Sequence, residues 1–382
     1  MQPSATMAVD ARAKALVAQG IDVVNLTAGE PDFDTLPAAR AGGIAAIEQG
    51  FTRYTPTPGT VELREAISKK LKDDNGLEYK ASQIVVSNGA KQSIYNALMV
   101  LLDPGDEVVI PTPAWVSYPE MVRLAGGVPV TVDTQPNNYR LDAKSLEAAI
   151  TPRTKVILLN NPSNPTGVVY TDAELRMVAG LAVRHDLYVI SDEIYEKLTY
   201  GAEFISIASL GPEILERTIT VNGFSKAYAM TGWRMGYAAA NAQIADAMSS
   251  FQSQVTSGAS SITQKAALAA LKGDQSPVEA MRVQFDRRRR YVAKRLTEMP
   301  GVKLDTVPEG AFYIFARVDE LYGKEIDGSV RFAEALLEKA RVAVVPGLPF
   351  GSDRHIRLSY ACSLETLTEG MDRLDAFARS LG

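Results

Sequence analysis

Short apolar runs alternate with amphipathic stretches through the middle of the chain. Runs typical of strands lie at residues 84–86, 107–110, 128–132, 156–159, 187–190, 219–221 and 235–239. Between several of them, apolar residues recur at helical spacing, as on a helix with one buried face. Strands that alternate with helices favour crossover connections between parallel strands. The pattern therefore predicts an α/β fold with a largely parallel sheet.

A second region follows this alternating part. It begins near Ser276-Pro-Val-Glu279, which we interpret as a capping box with proline at the first helical position. Another capping box, Thr171-Asp-Ala-Glu174, starts a helix in the first region. Further strands are predicted at 311–315, 342–345 and 355–359, with a helix around 330–340. We therefore expect a smaller α/β domain after the large one.

Composition narrows the class of protein. With 382 residues, 46% of them hydrophobic and 22% charged, the chain is typical of a soluble globular enzyme with two or more domains. A formal charge of −5 gives no reason to expect nucleic acid or an anionic membrane as a partner. No apolar run approaches a membrane span, and Pro3 and Asp10 interrupt the N-terminus, so no signal peptide is predicted. A single cysteine, Cys362, excludes an internal disulfide and suits a reducing cytoplasm.

The histidine count limits the chemistry further, because the chain has only His185 and His355. A histidine-rich zinc or iron site is therefore not expected, and a Ser-His-Asp triad would need one of these two residues. His185 is predicted at the exposed end of a helix and His355 in a strand, so structural roles are favoured for both. The electrophile of such an enzyme is expected to be an organic cofactor.

The segment Gly223-Phe-Ser-Lys-Ala-Tyr-Ala-Met-Thr-Gly-Trp-Arg-Met-Gly236 is the most informative part of the sequence. A strand-like run precedes a glycine turn that presents Lys226 and, eight residues later, Arg234. A lysine amine can form a Schiff base with a carbonyl. An arginine can hold a phosphate as a fork, that is, through two parallel hydrogen bonds from its guanidinium. Pyridoxal phosphate needs both groups. A lone lysine in a loop is more often a solvated surface charge, so the surrounding pattern carries this prediction.

Polar residues also follow two neighbouring predicted strands, in segments 160–167 and 191–195. Most such segments are turns or helix caps. However, the carboxyl ends of parallel strands meet at one edge of an open α/β sheet, where ligands bind. Asp192 fits the carboxylate that keeps a pyridine nitrogen protonated. Tyr195 and Asn164 fit the donors that stabilise an ionised ring hydroxyl.

A phosphate site is predicted where Ser87-Asn-Gly-Ala-Lys-Gln92 opens a helix. Backbone amides at a helix N-terminus bind anions, and Gly89 lets the backbone approach an anion closely. Trp115 is the candidate to cover a cofactor ring, although most tryptophans belong to a core. Either signal is weak by itself.

With these motifs together, the chain resembles the fold type I, pyridoxal-phosphate-dependent aminotransferases of class I, closest to their bacterial aspartate aminotransferase branch. Matching segments run from Pro3-Ser-Ala-Thr6 to His355-Ile-Arg-Leu-Ser-Tyr360. The most specific are Thr27-Ala-Gly-Glu-Pro-Asp-Phe33, Tyr54-Thr-Pro-Thr-Pro-Gly59 and the lysine segment.

The resemblance implies a two-domain architecture. A large cofactor-binding domain would span residues 37–275, with a mostly parallel sheet and helices on both of its faces. Residues 1–36 and 276–382 would form the small α/β domain.

The resemblance also implies roles at the cofactor ring. Lys226 would form the Schiff base and move a proton between the substrate Cα and C4′ of pyridoxal phosphate. Asp192 would pair with the pyridinium, Tyr195 and Asn164 with the ring oxygen, and Trp115 would stack on the ring.

Further roles concern the phosphate, the substrate and a partner subunit. The groups expected to hold the phosphate are Arg234 and the backbone amides of Gly89, Ala90 and Lys91. Tyr54 would reach the site of the partner subunit, so the resemblance implies a homodimer with shared active sites. Arg357 would clamp the substrate α-carboxylate beside the Gly29 backbone, and substrate binding could then close the cleft.

Specificity is predicted from the residues available for a distal carboxylate, which needs a second cation or strong donors. In the bacterial branch this role falls to the residues that match Lys91, Ser4 and Thr6. Their presence favours aspartate, glutamate and their 2-oxo acids. Relatives that accept prephenate carry a basic residue where this chain has Gln2, so prephenate is expected to be a poor substrate.

One position departs from the family pattern. Animal-type relatives carry a phosphate-binding serine where this chain has Gly223. That contact is therefore not predicted, and Ser225 is not assumed to replace it.

Alternative functions remain open from the sequence. The same fold serves aminotransferases for other amino acids, including prephenate, aromatic residues and alanine, and pyridoxal-dependent β-lyases with a nearly identical cofactor site. Lyases need no recognition of a distal carboxylate, so Lys91, Ser4 and Thr6 favour transamination. A non-catalytic sensor domain behind a DNA-binding segment is disfavoured because the family pattern starts almost at the first residue, at Pro3.

Overall fold

The computed structural model describes residues 5–381, and the side chains of residue 9 and of residues 11–381. The strands are β1 (Val24–Asn25), β2 (Ile84–Ser87), β3 (Glu107–Thr112), β4 (Val128–Asp133), β5 (Thr154–Asn160), β6 (Tyr188–Asp192), β7 (Thr218–Gly223), β8 (Gly236–Ala239), β9 (Tyr313–Arg317), β10 (Val342–Ala343), β11 (Val345–Pro346) and β12 (His355–Ser359). The helices are α1 (Ala5–Ala18), α2 (Pro37–Glu48), α3 (Val61–Asn75), α4 (Ala90–Leu101), α5 (Ser117–Leu124), α6 (Ala143–Ala148), α7 (Asp172–Arg184), α8 (Pro212–Arg217), α9 (Ala242–Val255), α10 (Ser261–Lys272), α11 (Ser276–Thr297), α12 (Ser329–Ala335) and α13 (Leu364–Leu381). Within this described range, no helix has both the length and the apolar character needed to span a bilayer.

The central sheet has seven strands in the order β2-β8-β7-β6-β5-β3-β4. Neighbouring strands are parallel except at β8, which runs antiparallel to both β2 and β7. Strands inside the sheet are buried almost throughout, whereas β4 at one edge is largely exposed. Burial on both faces explains the near-continuous apolar runs in the sequence. The predicted α/β fold with a mostly parallel sheet is confirmed.

A second sheet lies in the C-terminal part of the chain. Its strands, in the order β11-β12-β9, are all antiparallel, and β1 forms a separate parallel pair with β10. One apolar core, which includes Phe285, Phe312 and Leu374, joins α11 and α13 to β9 and β12. The division into domains 37–275 and 1–36 with 276–382 stays a prediction.

Two predicted elements of this C-terminal part need correction. The strand predicted at 342–345 is two short strands, because β10 pairs with β1 whereas β11 pairs with β12. The strand predicted at 311–315 begins only at Tyr313, since Ala311 has a left-handed backbone with φ 59°. The predicted helix around 330–340 is present as α12, which continues into a π-helical turn at Leu336–Ala340.

The two capping boxes have different outcomes. The box at Thr171 is confirmed: its hydroxyl accepts from the Glu174 amide at 3.3 Å, and the Glu174 carboxylate accepts from the Thr171 amide at 2.8 Å. The box at Ser276 is wrong. The carboxylate of Asp274 accepts from both the amide and the hydroxyl of Ser276, and Gln275 is the N-cap without a side-chain bond. The serine hydroxyl is therefore already used in a local turn.

The carboxyl ends of the central strands form one edge. Asn160 at the end of β5 lies opposite Asp192 at the end of β6, and Asp192 lies opposite Val221 near the end of β7. The loops that follow these strands carry the polar segments singled out in the sequence, so they meet at this edge.

Candidate active site

A cavity of about 560 Å³ opens where this sheet edge faces β9 and β12. The predicted site residues that line it are Gly29, Ala90, Lys91, Trp115, Asn164, Asp192, Tyr195, Lys226, Arg234 and Arg357. Groups predicted from distant parts of the sequence are thus brought together in one place.

Lys226 reaches the cavity from the turn that follows β7. A Cβ atom on Gly223, at the end of β7, would lie 2.8 Å from the backbone oxygen of Met235, which leaves no room for the serine of animal-type relatives. The Nζ atom of Lys226 donates a hydrogen bond of 2.5 Å to the backbone oxygen of Gly29. Burial, followed by the nearby charge of Arg357, lowers the pKa of Lys226 to about 8. Its amine is therefore partly neutral near pH 7 and can act as a nucleophile.

The N-terminus of α4 and Arg234 form an anion-binding corner. Gly89 precedes the helix with φ 84°, and a Cβ atom there would lie 2.5 Å from a guanidinium nitrogen of Arg234. Similarly, a Cβ atom on Gly236 would lie 2.2 Å from the backbone nitrogen of Ala90. The two glycines let the arginine and the helix end approach each other. Free helix amides next to an arginine suit a phosphate.

Asp192 is buried, with 4% exposure, at the end of β6. Its Oδ2 accepts from the Tyr118 hydroxyl at 2.7 Å, and its Oδ1 accepts only a longer bond, of 3.3 Å, from the Ile194 amide. Burial raises the pKa of Asp192 to about 6, although these hydrogen bonds and the charge of Lys226 oppose the rise. A cationic N–H donor next to Oδ1 would stabilise the ionised carboxylate.

Arg357 lies in β12 with 3% exposure. Its Nη1 donates to Asn164 Oδ1 at 3.1 Å, and its Nη2 donates to the backbone oxygen of Thr27 at 3.0 Å. Its Nε has no partner among the residues that the structure describes, and none of their carboxylates pairs with it. Burial lowers the pKa of Arg357. A buried guanidinium without an anionic partner is costly, so this one is suited to a carboxylate ligand.

Tyr195 lies deep in the cavity beside the lysine. Its hydroxyl is 3.1 Å from the hydroxyl of Tyr313, and its ring packs edge-on against the rings of Tyr313 and Phe312. Burial, and then the neighbouring Tyr313, raises the pKa of Tyr195 well above that of a free phenol. Tyr195 is therefore a neutral hydrogen-bond donor at neutral pH.

Lys91 and Trp115 lie next to each other in the wall of the cavity. The Nζ atom of Lys91 lies 4.7 Å from the centroid of the Trp115 ring, and that ring packs edge-on against Tyr118. Burial, followed by the charge of Arg234, lowers the pKa of Lys91. This part of the wall thus offers one aromatic face and one cation.

Other predicted residues are not seen in the cavity. Tyr54 is 99% exposed and does not line it. Gln2 and Ser4 lie outside the described residues, and so does the side chain of Thr6, whose backbone belongs to α1.

Sequence reasoning missed several residues that contact the site, among them Thr27, Tyr118 and Tyr313. Thr27 acts through its backbone oxygen, which no side-chain pattern reveals. Tyr118 and Tyr313 lie in elements whose apolar pattern indicates only a core. For Tyr118 the one available signal was its place one helical turn after Trp115.

Comparison with known proteins agrees with this arrangement. Residues 21–374 match the family model for aminotransferase class I and II. The chain is 48% identical to an aspartate aminotransferase of Bacillus sp. strain YM-2, over 99% of this chain and 97% of the relative. It is 46% identical to an aspartate/prephenate aminotransferase of Cereibacter sphaeroides, over 100% and 97% of the two chains.

Solved structures give the same result. The aspartate aminotransferase of Thermus thermophilus with maleate superposes with a TM-score of 0.94 at 46% identity, over 99% of this chain and 97% of that chain. The aspartate aminotransferase of Rhizobium meliloti superposes with a TM-score of 0.95 at 44% identity, with the same coverage. The fold and the site thus define a pyridoxal-phosphate-dependent transferase of fold type I. The chain belongs to the aminotransferase class I and II family and is a transaminase of the bacterial aspartate aminotransferase type.

Proposed function

We propose that this transaminase moves amino groups between L-aspartate or L-glutamate and the 2-oxo acids oxaloacetate and 2-oxoglutarate, in a ping-pong cycle. The observation that carries the proposal is Arg357, a buried cation without a carboxylate partner among the described residues, in the same cavity as Lys226. An amino acid bound there by its α-carboxylate would present its Cα to the lysine amine.

The residues of the cavity fit pyridoxal phosphate. The corner of the Ala90 and Lys91 backbone amides with Arg234 suits the phosphate, since Gly89 and Gly236 leave no side chain in the way. The Gly89 amide, which was also predicted to bind the phosphate, donates to the Ser87 backbone oxygen at 2.8 Å. The underused Oδ1 of Asp192 suits a pyridinium N–H. We assign Tyr195 and Asn164 to the ring oxygen and Trp115 to the ring face.

When bound, the cofactor supplies an aldehyde for the amino group and a ring that delocalises the electron pair left at Cα. Asp192 would hold the ring nitrogen in its protonated form, because a buried carboxylate favours an adjacent cation. Lys226, as a neutral amine, would take the proton from the substrate Cα and carry it for return to the cofactor side of the bond. Arg357 holds the α-carboxylate as a fork, so that the Cα–H bond stays within reach of the lysine.

We assign the distal carboxylate of the substrate to Lys91, with Ser4 and Thr6 as further donors. Lys91 offers a second cation in the wall of the cavity that Arg357 also lines. The relatives named aspartate aminotransferase support a dicarboxylic substrate, and one solved relative holds maleate, a dicarboxylate.

We also propose a homodimer in which Tyr54 contributes to the cofactor site of the partner. A tyrosine that is 99% exposed in the single chain favours a role outside its own cavity. Ile44, Ile47 and Val61 are likewise about half exposed in the same part of the chain. Clustered exposed apolar side chains are typical of an interface.

The remaining proposals concern domains and location. A large domain of residues 37–275 and a small domain of 1–36 with 276–382 would meet at the cavity, where Gly29 and Arg357 come from the small one. Closure of this cleft over substrate would exclude water. A cytoplasmic location suits a chain with a single cysteine.

The proposal is tested by adding amino acids singly to the holoenzyme and following the loss of its visible absorbance. Aspartate and glutamate should react fastest, alanine and tyrosine much more slowly, and cysteine conjugates should release no pyruvate. Lys91→Met should selectively slow the dicarboxylic substrates, whereas Lys155→Met, which does not line the cavity, should change none of the rates. Equal rates with alanine and aspartate would contradict the assignment of the distal carboxylate. With prephenate as acceptor, a rate equal to that with oxaloacetate would contradict the expectation drawn from Gln2.

A further inference from the structure

Tyr313 connects the two halves of the cavity. It is the first residue of β9 and is buried, and its hydroxyl lies 3.1 Å from that of Tyr195. Its ring lies under the guanidinium carbon of Arg357, 4.3 Å from the ring centroid. One side chain therefore contacts both the phenol assigned to the cofactor ring and the arginine assigned to the substrate.

The strand register creates this contact. Ser359 of β12 lies opposite Tyr313, and Arg357 lies opposite Phe315. Tyr313 and Arg357 are thus diagonal neighbours on the same face of the sheet, a distance that an aromatic and a long side chain can bridge. The contact follows from the backbone pairing of β9 and β12.

The hydrogen bonds that Tyr195 can make define the role of the Tyr313 hydroxyl. Tyr195 has one phenolic proton, and Tyr313 is its only hydrogen-bond partner among the described residues. Under the proposed function, that proton is donated to the ring oxygen of the cofactor. The hydrogen bond between the two hydroxyls can then form only with Tyr313 as the donor and Tyr195 as the acceptor. A phenol that accepts a hydrogen bond is in turn a stronger donor.

The ring of Tyr313 has a separate task. Arg357 lies above the Tyr313 ring, and the centroid of the Phe350 ring is 5.1 Å from its guanidinium carbon. A guanidinium over an aromatic face is attracted electrostatically and keeps its edges free for hydrogen bonds. The orientation of the fork toward a carboxylate therefore depends on this ring.

We propose that Tyr313 is a positioning residue for transamination: its hydroxyl donates to Tyr195 and strengthens the bond of Tyr195 to the cofactor ring oxygen, while its ring orients Arg357 for the substrate carboxylate. The proposal rests on the function proposed above. It adds a residue that touches neither the transferred proton nor the transferred amino group.

The hydroxyl is tested by a spectroscopic pH titration of the holoenzyme. In Tyr313→Phe the ring remains and the donor to Tyr195 is lost, so the ionised ring oxygen is less stabilised. The midpoint of the visible absorbance titration should rise by roughly 0.1 to 0.6 pH unit, because loss of the donor weakens the bond between Tyr195 and the ionised ring oxygen by roughly a tenth to a third. Tyr322→Phe is the matched control, because that hydroxyl donates to the backbone oxygen of Asp353 at 2.8 Å and does not line the cavity. An unshifted midpoint in Tyr313→Phe, or an equal shift in Tyr322→Phe, would overturn the role of the hydroxyl.

The ring is tested by steady-state kinetics. Tyr313→Leu removes the aromatic face, so KM for aspartate should rise about three- to tenfold, whereas Tyr313→Phe should leave KM within about twofold of the wild type. Equal KM values for the two variants would overturn the role of the ring. If Tyr313→Leu does not fold, Tyr313→Met removes the aromatic face at the same position, and an unchanged KM in that variant would overturn the role of the ring in the same way.

The two proposals fail differently. Without a covalent bond between Lys226 and the cofactor, borohydride would leave no adduct on Lys226 in the wild type or in any Tyr313 variant, and the proposed function would be wrong. A normal band in Tyr313→Phe with the wild-type midpoint would leave the proposed function standing and remove only the task of the hydroxyl.

Discussion

Two of the buried clusters of polar side chains in the described part of the chain differ in how completely their hydrogen bonds are satisfied. The first surrounds His355, the second surrounds Lys226. In the first, Nε2 of His355 lies 2.8 Å from Oδ2 of Asp305, which also accepts from the Tyr139 hydroxyl at 2.7 Å. The other ring nitrogen of His355 lies 2.7 Å from the Ser352 hydroxyl, which donates to Gln135 at 2.6 Å.

The cluster around Lys226 leaves hydrogen-bonding capacity unused. Among the residues that the structure describes, the Nε of Arg357 has no partner, and Asp192 accepts one short and one long hydrogen bond. Among the described residues, the amine of Lys226 donates a hydrogen bond only to the backbone oxygen of Gly29. Both clusters contain a cationic or basic group and a carboxylate, so residue types alone do not separate them. The unused hydrogen-bonding capacity separates the two clusters. Buried polar groups normally find partners, so a missing partner indicates a ligand.

The largest expected effect is that of Lys226→Ala. Loss of the nucleophilic amine should reduce kcat for transamination on the order of 10⁴-fold or more, with the far-ultraviolet circular dichroism unchanged. Lys226→Arg keeps a cation but cannot form the covalent bond, so it should be equally inactive. Turnover near the wild-type rate in either variant would refute the covalent role.

Arg357→Ala should have the next largest effect. A substrate carboxylate that loses its buried partner costs about 2–5 kcal/mol, so KM for aspartate should rise roughly thirtyfold to several thousandfold. Arg357→Lys retains the charge without the fork and should fall between the wild type and Arg357→Ala. Steady-state kinetics measure both values. An unchanged KM in Arg357→Ala would contradict the assignment of Arg357 to the substrate α-carboxylate.

A smaller effect is expected from pH on covalent attachment of the cofactor. Only the neutral amine attacks an aldehyde, and the pKa of Lys226 is lowered from 10.5 to about 8. The rate at which apoenzyme incorporates pyridoxal phosphate should therefore rise about tenfold per pH unit below pH 8 and become constant above it. Borohydride trapping at fixed times measures this rate. A rate that keeps rising to pH 10 would show that the pKa of Lys226 is not lowered.

The smallest effect on catalysis is expected in the His355 cluster. Asp305→Asn removes the anion that accepts from both His355 and Tyr139, so the free energy of unfolding should fall by about 1–3 kcal/mol. The kcat of the folded enzyme should stay the same. Asp186→Asn, at an ion pair whose aspartate is 85% exposed, should cost less than about 1 kcal/mol. A large fall in kcat for Asp305→Asn would show that the comparison between the clusters is wrong.

The sequence predicted most of the central sheet because its strands are buried on both faces, and their apolar runs do not depend on which partner they pair with. It predicted the Lys226 turn because close backbone approach at Gly223 and Gly236 demands glycine. It failed at 342–345, where the choice between two sheets depends on distant strands. It failed at Ser276 because Asp274 competes for the serine hydroxyl.

The site could be predicted only in part, for the same physical reason. Lys226 and Arg234 carry local signals, whereas Tyr118 and Tyr313 have functional contacts only because folding places them beside Asp192 and Tyr195. Contacts between residues that are distant in the sequence produce no regular residue spacing from which they could be predicted. They become visible through distances and burial.

Peptide mass spectrometry of the borohydride-reduced holoenzyme tests the central claim most directly. We predict one pyridoxyl-phosphate adduct, on the peptide that contains Lys226, and no adduct in Lys226→Ala. An unmodified Lys226 peptide from the reduced wild-type protein, or an adduct on a different lysine, would contradict the account.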